Sequence, residues 1–306
     1  MNESSTEGGG RKNAWWFVHA VVAAVIWGVW GALIDSTARA GFPAELGYVV
    51  WAFTMVPPAL FALHRVGWKL EYDAAAIVLG GAAGLLGAGG QLILFKVLRL
   101  APAYLVFPII ALSPIMTVGL AFAVLRERVV VREWIGITLA LAAGVLLAYS
   151  PSGDGAAVRG WLGLTLVVFV CWGVQGFVIS RANRRMRAES VFFYMMLTGL
   201  MLVPVALRMT DFGAPINWGW RGFWAAGAIQ SLNAVGALLL VYAFRYGKAM
   251  VVAPLINAGA PVITILLSLL LYRALPSAIN FSGMVFAVVA AVLLAWEKPP
   301  EGGEGR

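Results

Sequence analysis

Residues 95–136 read FKVLRLAPAYLVFPIIALSPIMTVGLAFAVLRERVVVREWIG, and residues 242–283 read YAFRYGKAMVVAPLINAGAPVITILLSLLLYRALPSAINFSG. Laid over one another at an offset of 147, they place Pro114 on Pro261, Thr117 on Thr264, Arg126 on Arg273 and Gly136 on Gly283. The run Pro114-Ile115-Met116-Thr117 falls on Pro261-Val262-Ile263-Thr264. A Trp-Gly pair also recurs near the start of each half, Trp27-Gly28 and Trp172-Gly173, at an offset of 145. The two-residue drift requires only a small difference in loop length. Together the matches describe two copies of one unit.

The residues around these landmarks are apolar. Of 306 residues, 61% are hydrophobic and 12% charged, and the mean hydropathy is +0.87. A soluble domain carries about 25% charged residues, so this chain cannot clothe a water-facing surface. The 13 Trp and 35 Gly fit a membrane protein. A soluble enzyme, a nucleic-acid binder and a disulfide-built secreted domain are excluded. The net charge of +8 resides in short basic clusters between apolar blocks, which is the pattern of topology signals. The lone Cys171 can form no intrachain disulfide and holds no metal by itself.

A bilayer core takes about 20 apolar residues per helix. Ten blocks meet that length, near 15–34, 45–64, 74–95, 103–124, 133–150, 161–180, 190–207, 222–243, 249–271 and 278–296. The expected fold is an all-α membrane protein of ten transmembrane helices, with loops too short for an ATPase or receptor domain. The expected divisions are a disordered cytoplasmic tail at 1–13, five-span repeats at 14–150 and 160–297, and a second disordered tail at 298–306. Five spans is an odd number, so the second repeat starts from the opposite side and the repeats are inverted. That architecture is common in secondary transporters, whose similar halves exchange conformations.

Lys and Arg set the orientation. With the N-terminus inside, cytoplasmic segments hold fifteen of the 22 basic residues, the largest cluster being Arg181, Arg184, Arg185 and Arg187. Both termini are therefore expected in the cytoplasm.

The chain resembles the drug/metabolite transporter superfamily, of the EamA-like ten-span type. Trp27-Gly28 and Trp172-Gly173 carry the resemblance. The runs 101–128 and 247–273 look like that family's fourth and ninth spans, with Gly136 and Gly283 in the spans that follow. Glu127 matches an acidic residue that often closes the fourth span, whereas the second repeat has Ala274 there. The resemblance spans nearly the whole chain. It implies a ten-span fold in the bacterial inner membrane and a transport role, and it identifies no substrate.

Pro254, Asn257, Pro261, Thr264 and Ser268 stand at spacings of 3, 4, 3 and 4, on one face of the ninth span. Such a stripe lines a polar cavity or forms a packing seam in which the hydroxyls bond their own backbone. Pro254, Pro261 and Pro114 release backbone carbonyls and are candidate helix breaks. Trp27 and Trp172 could stack on a ligand or fill core volume. Gln175 needs a partner inside hydrocarbon. Gln91, Gln230 and Asn233 bind substrate or bond between helices. His19 and Asp35 are the coupling candidates, with an interfacial histidine and a plain loop carboxylate as the alternatives.

No P-loop, zinc, haem or nucleophile-elbow motif occurs. The leading reading is a secondary transporter, not an enzyme, that moves a small neutral or zwitterionic metabolite by alternating access. The substrate is amino-acid-like or drug-like, with import and export both left open. A non-transporting scaffold or sensor and a membrane lipid enzyme are the other classes. The latter needs clustered His, Asp, Glu or Ser, and the chain has only two His. No cofactor is expected. The expected partners are the bilayer and a small-molecule substrate, no nucleic acid, with a homodimer left open. A reporter that is active only in the cytoplasm, fused after Arg306, is expected to be active; activity of a periplasm-only reporter there instead would invert the topology.

Overall fold

The structure, a computed structural model, describes residues 7–100, 106, 110, 112–127, 129–148, 158–272 and 277–295. The described residues form helices and no strand. In hydrocarbon the backbone must satisfy its own hydrogen bonds, which a helix does within one segment. The helices are α1 (Glu7–Arg39), α2 (Ala44–Arg65), α3 (Ala74–Leu100), α4 (Pro114–Leu125), α5 (Val131–Ala148), α6 (Val158–Asn183), α7 (Ala188–Met209), α8 (Trp220–Tyr246), α9 (Ala249–Tyr272) and α10 (Ala278–Ala295). Among the described residues, α2, α3, α7, α8 and most of α1 and α6 are long and apolar enough to cross a bilayer; α4 and parts of α9 and α10 form shorter apolar helices. The protein is an all-α membrane protein of ten transmembrane helices in two inverted five-helix repeats.

The helix ends differ from the apolar blocks in one instructive place. α1 begins at Glu7, inside the segment expected as a disordered tail. No proline interrupts residues 7–15, and each added residue extends a ladder already nucleated in the span. Residues 1–6 and the tail at 298–306 lie outside the described residues.

Both second helices of the repeats are broken. α2 is interrupted at Met55 and α7 at Leu202, each followed two residues later by proline, Pro57 and Pro204. A proline supplies no N–H, so the helix restarts with it near the first position. The two prolines are again 147 apart. α4 closes in a π-turn over Ala121–Leu125, and Arg126 takes a left-handed conformation, φ 52°, that stops the helix.

The repeats interlock by exchange. α1 packs on α8 and α9 of the other half, and α6 packs on α3 and α4. α2 lies on α8 as α7 lies on α3. α5 and α10 form an outer pair whose buried Ala140, Ala143, Ala287 and Ala290 meet Ala258 and Val262 of α9.

The Trp-Gly pairs mark two close, equivalent crossings. A methyl added at Gly28 would sit 2.7 Å from the Ala260 carbonyl oxygen; at Gly173 it would sit 2.7 Å from that of Ser113. Ser113 and Ala260 are 147 apart. One turn on, Thr264 Oγ1 donates to the Gly28 carbonyl at 2.9 Å, and Thr117 Oγ1 donates to the Gly173 carbonyl at 2.7 Å. Small residues let backbones approach this closely, and a hydroxyl then bonds across. Gly28→Val and Gly173→Val should each destabilise the bundle by about 1–3 kcal/mol through overpacking. Gly89→Ala, where an added methyl meets nothing within 4 Å, should not. Thermal unfolding in detergent reads the difference; equal midpoints for all three would place the crossings elsewhere.

Candidate functional site

Charged side chains collect at the two ends of the bundle. At the arginine-rich end, Arg185 pairs with Asp73 at 3.0 Å, Arg187 with Glu71 at 3.6 Å and Lys248 with Glu133 at 3.2 Å. Ser190 Oγ donates to the Glu71 carboxylate, and the Tyr194 hydroxyl donates to the Glu71 carbonyl at 2.7 Å. The Arg185 guanidinium holds the Asp73 carboxyl below its ordinary range, and that carboxylate also accepts the Ala75 and Ala76 N–H groups that open α3. Glu127, just past α4, ties two other segments to that end: it accepts from Arg184 in the turn after α6 at 3.0 Å and from the Met250 N–H of α9 at 3.2 Å. Its counterpart Ala274 lies outside the described residues. At the opposite end, Arg99 pairs with the buried Glu45, and Asn217 joins two loops by donating to the carbonyls of Gly41 and Ala40 at 3.0 and 2.8 Å.

Between the ends the polar groups are amides, hydroxyls and indoles. Trp27 Nε1 donates to the Asn233 carbonyl at 3.3 Å, and Trp172 Nε1 donates to the Gly87 carbonyl, also at 3.3 Å. The two tryptophans thus hold the exchanged helices in equivalent ways. One position further round the same face the halves diverge. Trp30 donates to Gln230 Oε1 at 3.2 Å, whereas its counterpart Gln175 is buried over Gly87, with no room for a methyl between them. A methyl at Gly47 would touch the Phe95 ring and Gln230 Nε2 at 3.7 and 3.8 Å, so α2, α3 and α8 converge there.

Two amides stand out. Gln91 of α3 is 4% exposed and Asn233 of α8 is 6% exposed, and neither Gln91 Nε2 nor Asn233 Nδ2 has a hydrogen-bond partner among the described residues. A buried amide donor left unpaired costs about 1–3 kcal/mol. In a packed bundle such groups are informative, because a leucine would fill the same space without the cost.

The stripe on α9 divides. Thr264 faces α1, bonding Gly28 and its own Ala260 carbonyl at 3.2 Å. Asn257 is half-buried and donates to its own-helix Ala253 carbonyl at 3.0 Å. Pro261 lacks the N–H that would otherwise donate to the Asn257 carbonyl, so Asn257 has a main-chain oxygen without its helical donor in addition to its side-chain oxygen. Pro254 is buried, Pro261 half-buried and Pro114 opens α4; the Ser268 side chain lies outside what is described. His19 sits at the arginine-rich end, its Nδ1 2.5 Å from the Trp15 carbonyl and its ring 5.4 and 5.9 Å from those of Tyr242 and Tyr246. Asp35 lies within α1, with its side chain outside what is described. Sequence reasoning named Gln230 and Glu127 without their partners, Trp30 for the first and Arg184 with the Met250 N–H for the second.

The family model described as the EamA-like transporter family matches residues 14–149 and 159–296, once on each repeat. A search of curated proteins gives no match. A solved structure titled "Crystal structure of protein" superposes with a TM-score of 0.73 at 21% identity, covering 92% of this chain and 98% of that one; that likeness shows the fold. The chain belongs to the EamA-like transporter family, a family of membrane transporters within the drug/metabolite superfamily.

Proposed function

We propose that the protein is a secondary transporter that moves a small neutral or zwitterionic solute by alternating access. The observation that carries this reading is the duplicated, exchanged crossing: α1 on α9 and α6 on α4 meet through the same atoms, Thr264 on Gly28 and Thr117 on Gly173. Two interfaces of matching design can trade conformations, so that closing one end opens the other. The charged ties at each end are the groups that must part in turn.

The solute class follows from the middle of the bundle. Gln91, Gln175, Gln230, Asn233, Asn257 and Thr264 are uncharged, and an unpaired charge at mid-membrane is costly. Donors at Gln91 and Asn233 suit a ligand oxygen, the Asn257 oxygens suit a ligand N–H or O–H, and Trp27 and Trp172 border the same helices. On this reading the arginine-rich end faces the cytoplasm of a bacterial inner membrane.

Asn233→Leu and Gln91→Leu separate transport from folding. Removing an unpartnered amide for an apolar group of similar size should leave thermal stability unchanged or raised. Solute uptake into proteoliposomes, first identified by a metabolite-mixture screen, should fall by about tenfold or more, the equivalent of ~1.4 kcal/mol of lost recognition. Unimpaired uptake in both variants would remove α3 and α8 from the binding site. Absence of any gradient-driven or counter-flow uptake by the wild type would favour a scaffold or sensor.

A further inference from the structure

The arginines between α6 and α7 do not share one task. Arg185 and Arg187 meet Asp73 and Glu71 in exposed pairs. Arg184 instead lines a cavity of about 250 Å³ together with Arg245 and Lys248, with Glu127, Phe244 and Tyr246 also in the wall. The cavity lies at the arginine-rich mouth, where the ends of α4, α6 and α8 meet the start of α9.

The charges of this wall do not cancel. Glu127 is the single carboxylate among its described lining residues. Its side chain is 7% exposed and already engaged by Arg184 and the Met250 N–H. Arg245 and Lys248 remain. Arg245 Nη1 is anchored by the carbonyls of Asn183 and Met186, the latter at 3.0 Å. That contact fixes the guanidinium plane and leaves the donors on Nε and Nη2 for another acceptor. Lys248 bonds both oxygens of Glu133, at 3.3 and 3.2 Å, a carboxylate outside the wall whose side chain is 15% exposed, so its ammonium is shared between that carboxylate and the cavity. Phe244 and Tyr246 give the same cavity an apolar side.

A fixed guanidinium fork matches the planar oxygens of a carboxylate, and aromatic walls accept an apolar body. We propose that this mouth cavity binds a small organic carboxylate with an apolar body. Glu127 is its internal competitor, since it occupies Arg184 and the opening N–H of α9, two groups that an incoming carboxylate also seeks. The proposal does not rest on the transport reading, because binding is measured without a gradient.

The test is calorimetric titration of the full chain in phosphatidylcholine nanodiscs with benzoate, benzyl alcohol and benzylammonium. Benzoate should bind, and the neutral and cationic probes should bind about tenfold more weakly or not at all. Glu127→Gln releases Arg184 and should tighten benzoate about threefold or more, while Lys248→Gln should weaken it by a similar factor. A gain in one variant cannot come from misfolding. Gly89→Ala, where an added methyl meets nothing within 4 Å, should bind benzoate as the wild type does. Equal binding of benzyl alcohol and benzoate, or unchanged affinity in both Glu127→Gln and Lys248→Gln, would overturn the proposal. So would complete loss of benzoate binding when phosphatidylglycerol is added, which would assign the cavity to anionic lipid headgroups.

Discussion

Two helix crossings come so close that a single methyl group would overlap a carbonyl oxygen, one at Gly28 and one at Gly173. The rest of the bundle is arranged around them. Lipid tails are as apolar as leucine, so helices in a bilayer gain little from burying apolar surface and associate instead by close packing and short polar contacts. Glycine removes the Cβ, the backbones approach, and a threonine hydroxyl one turn away bonds the glycine carbonyl. Each crossing joins opposite repeats, so neither half completes its own interior. That exchange makes the chain one body and places Trp27 and Trp172 where their indoles reach α8 and α3.

The duplication was readable because it rests on residues whose chemistry is local and hard to replace. A proline writes its effect into its own helix, which is why Pro114 and Pro261 align, and why Pro57 and Pro204 mark breaks at Met55 and Leu202. The span count was readable for a related reason, since hydrocarbon thickness demands a run of fixed length whatever its neighbours. The ends of α1 were less readable. Helix continuation past Trp15 toward Glu7 depends on ladder propagation and the absence of a stop, and neither alters hydropathy.

The partners of the polar side chains were the least readable part. Trp27 and Trp172 donate to the carbonyls of Asn233 and Gly87, and any residue type supplies a carbonyl. A tryptophan that binds ligand and one that pins a neighbouring backbone therefore leave the same mark in a sequence. The α9 stripe shows the same ambiguity resolved atom by atom: Thr264 reaches across to α1, while Asn257 turns back to Ala253. Periodicity placed the five residues on one face but carried no information about which neighbour that face meets at each level.

The two halves are alike in how they pack and unlike in what they present. Trp30 against Gln230 in one half becomes Gln175 over Gly87 in the other, and Glu127 in the first becomes Ala274 in the second. In the proposed alternating-access cycle, matching crossings would keep the energies of the two end-open forms close. Unlike side chains then decide what is held and which end is favoured. If both ends carried a Glu127-like bridge, each conformational step would separate a carboxylate from a guanidinium and a helix N-terminus. With the acidic residue on one side only, the arginine-rich end alone is held by that bridge, and its strength can be set by whatever competes for Arg184. On the proposed alternating-access reading, symmetric backbone crossings serve the rocking and asymmetric polar groups give it a direction.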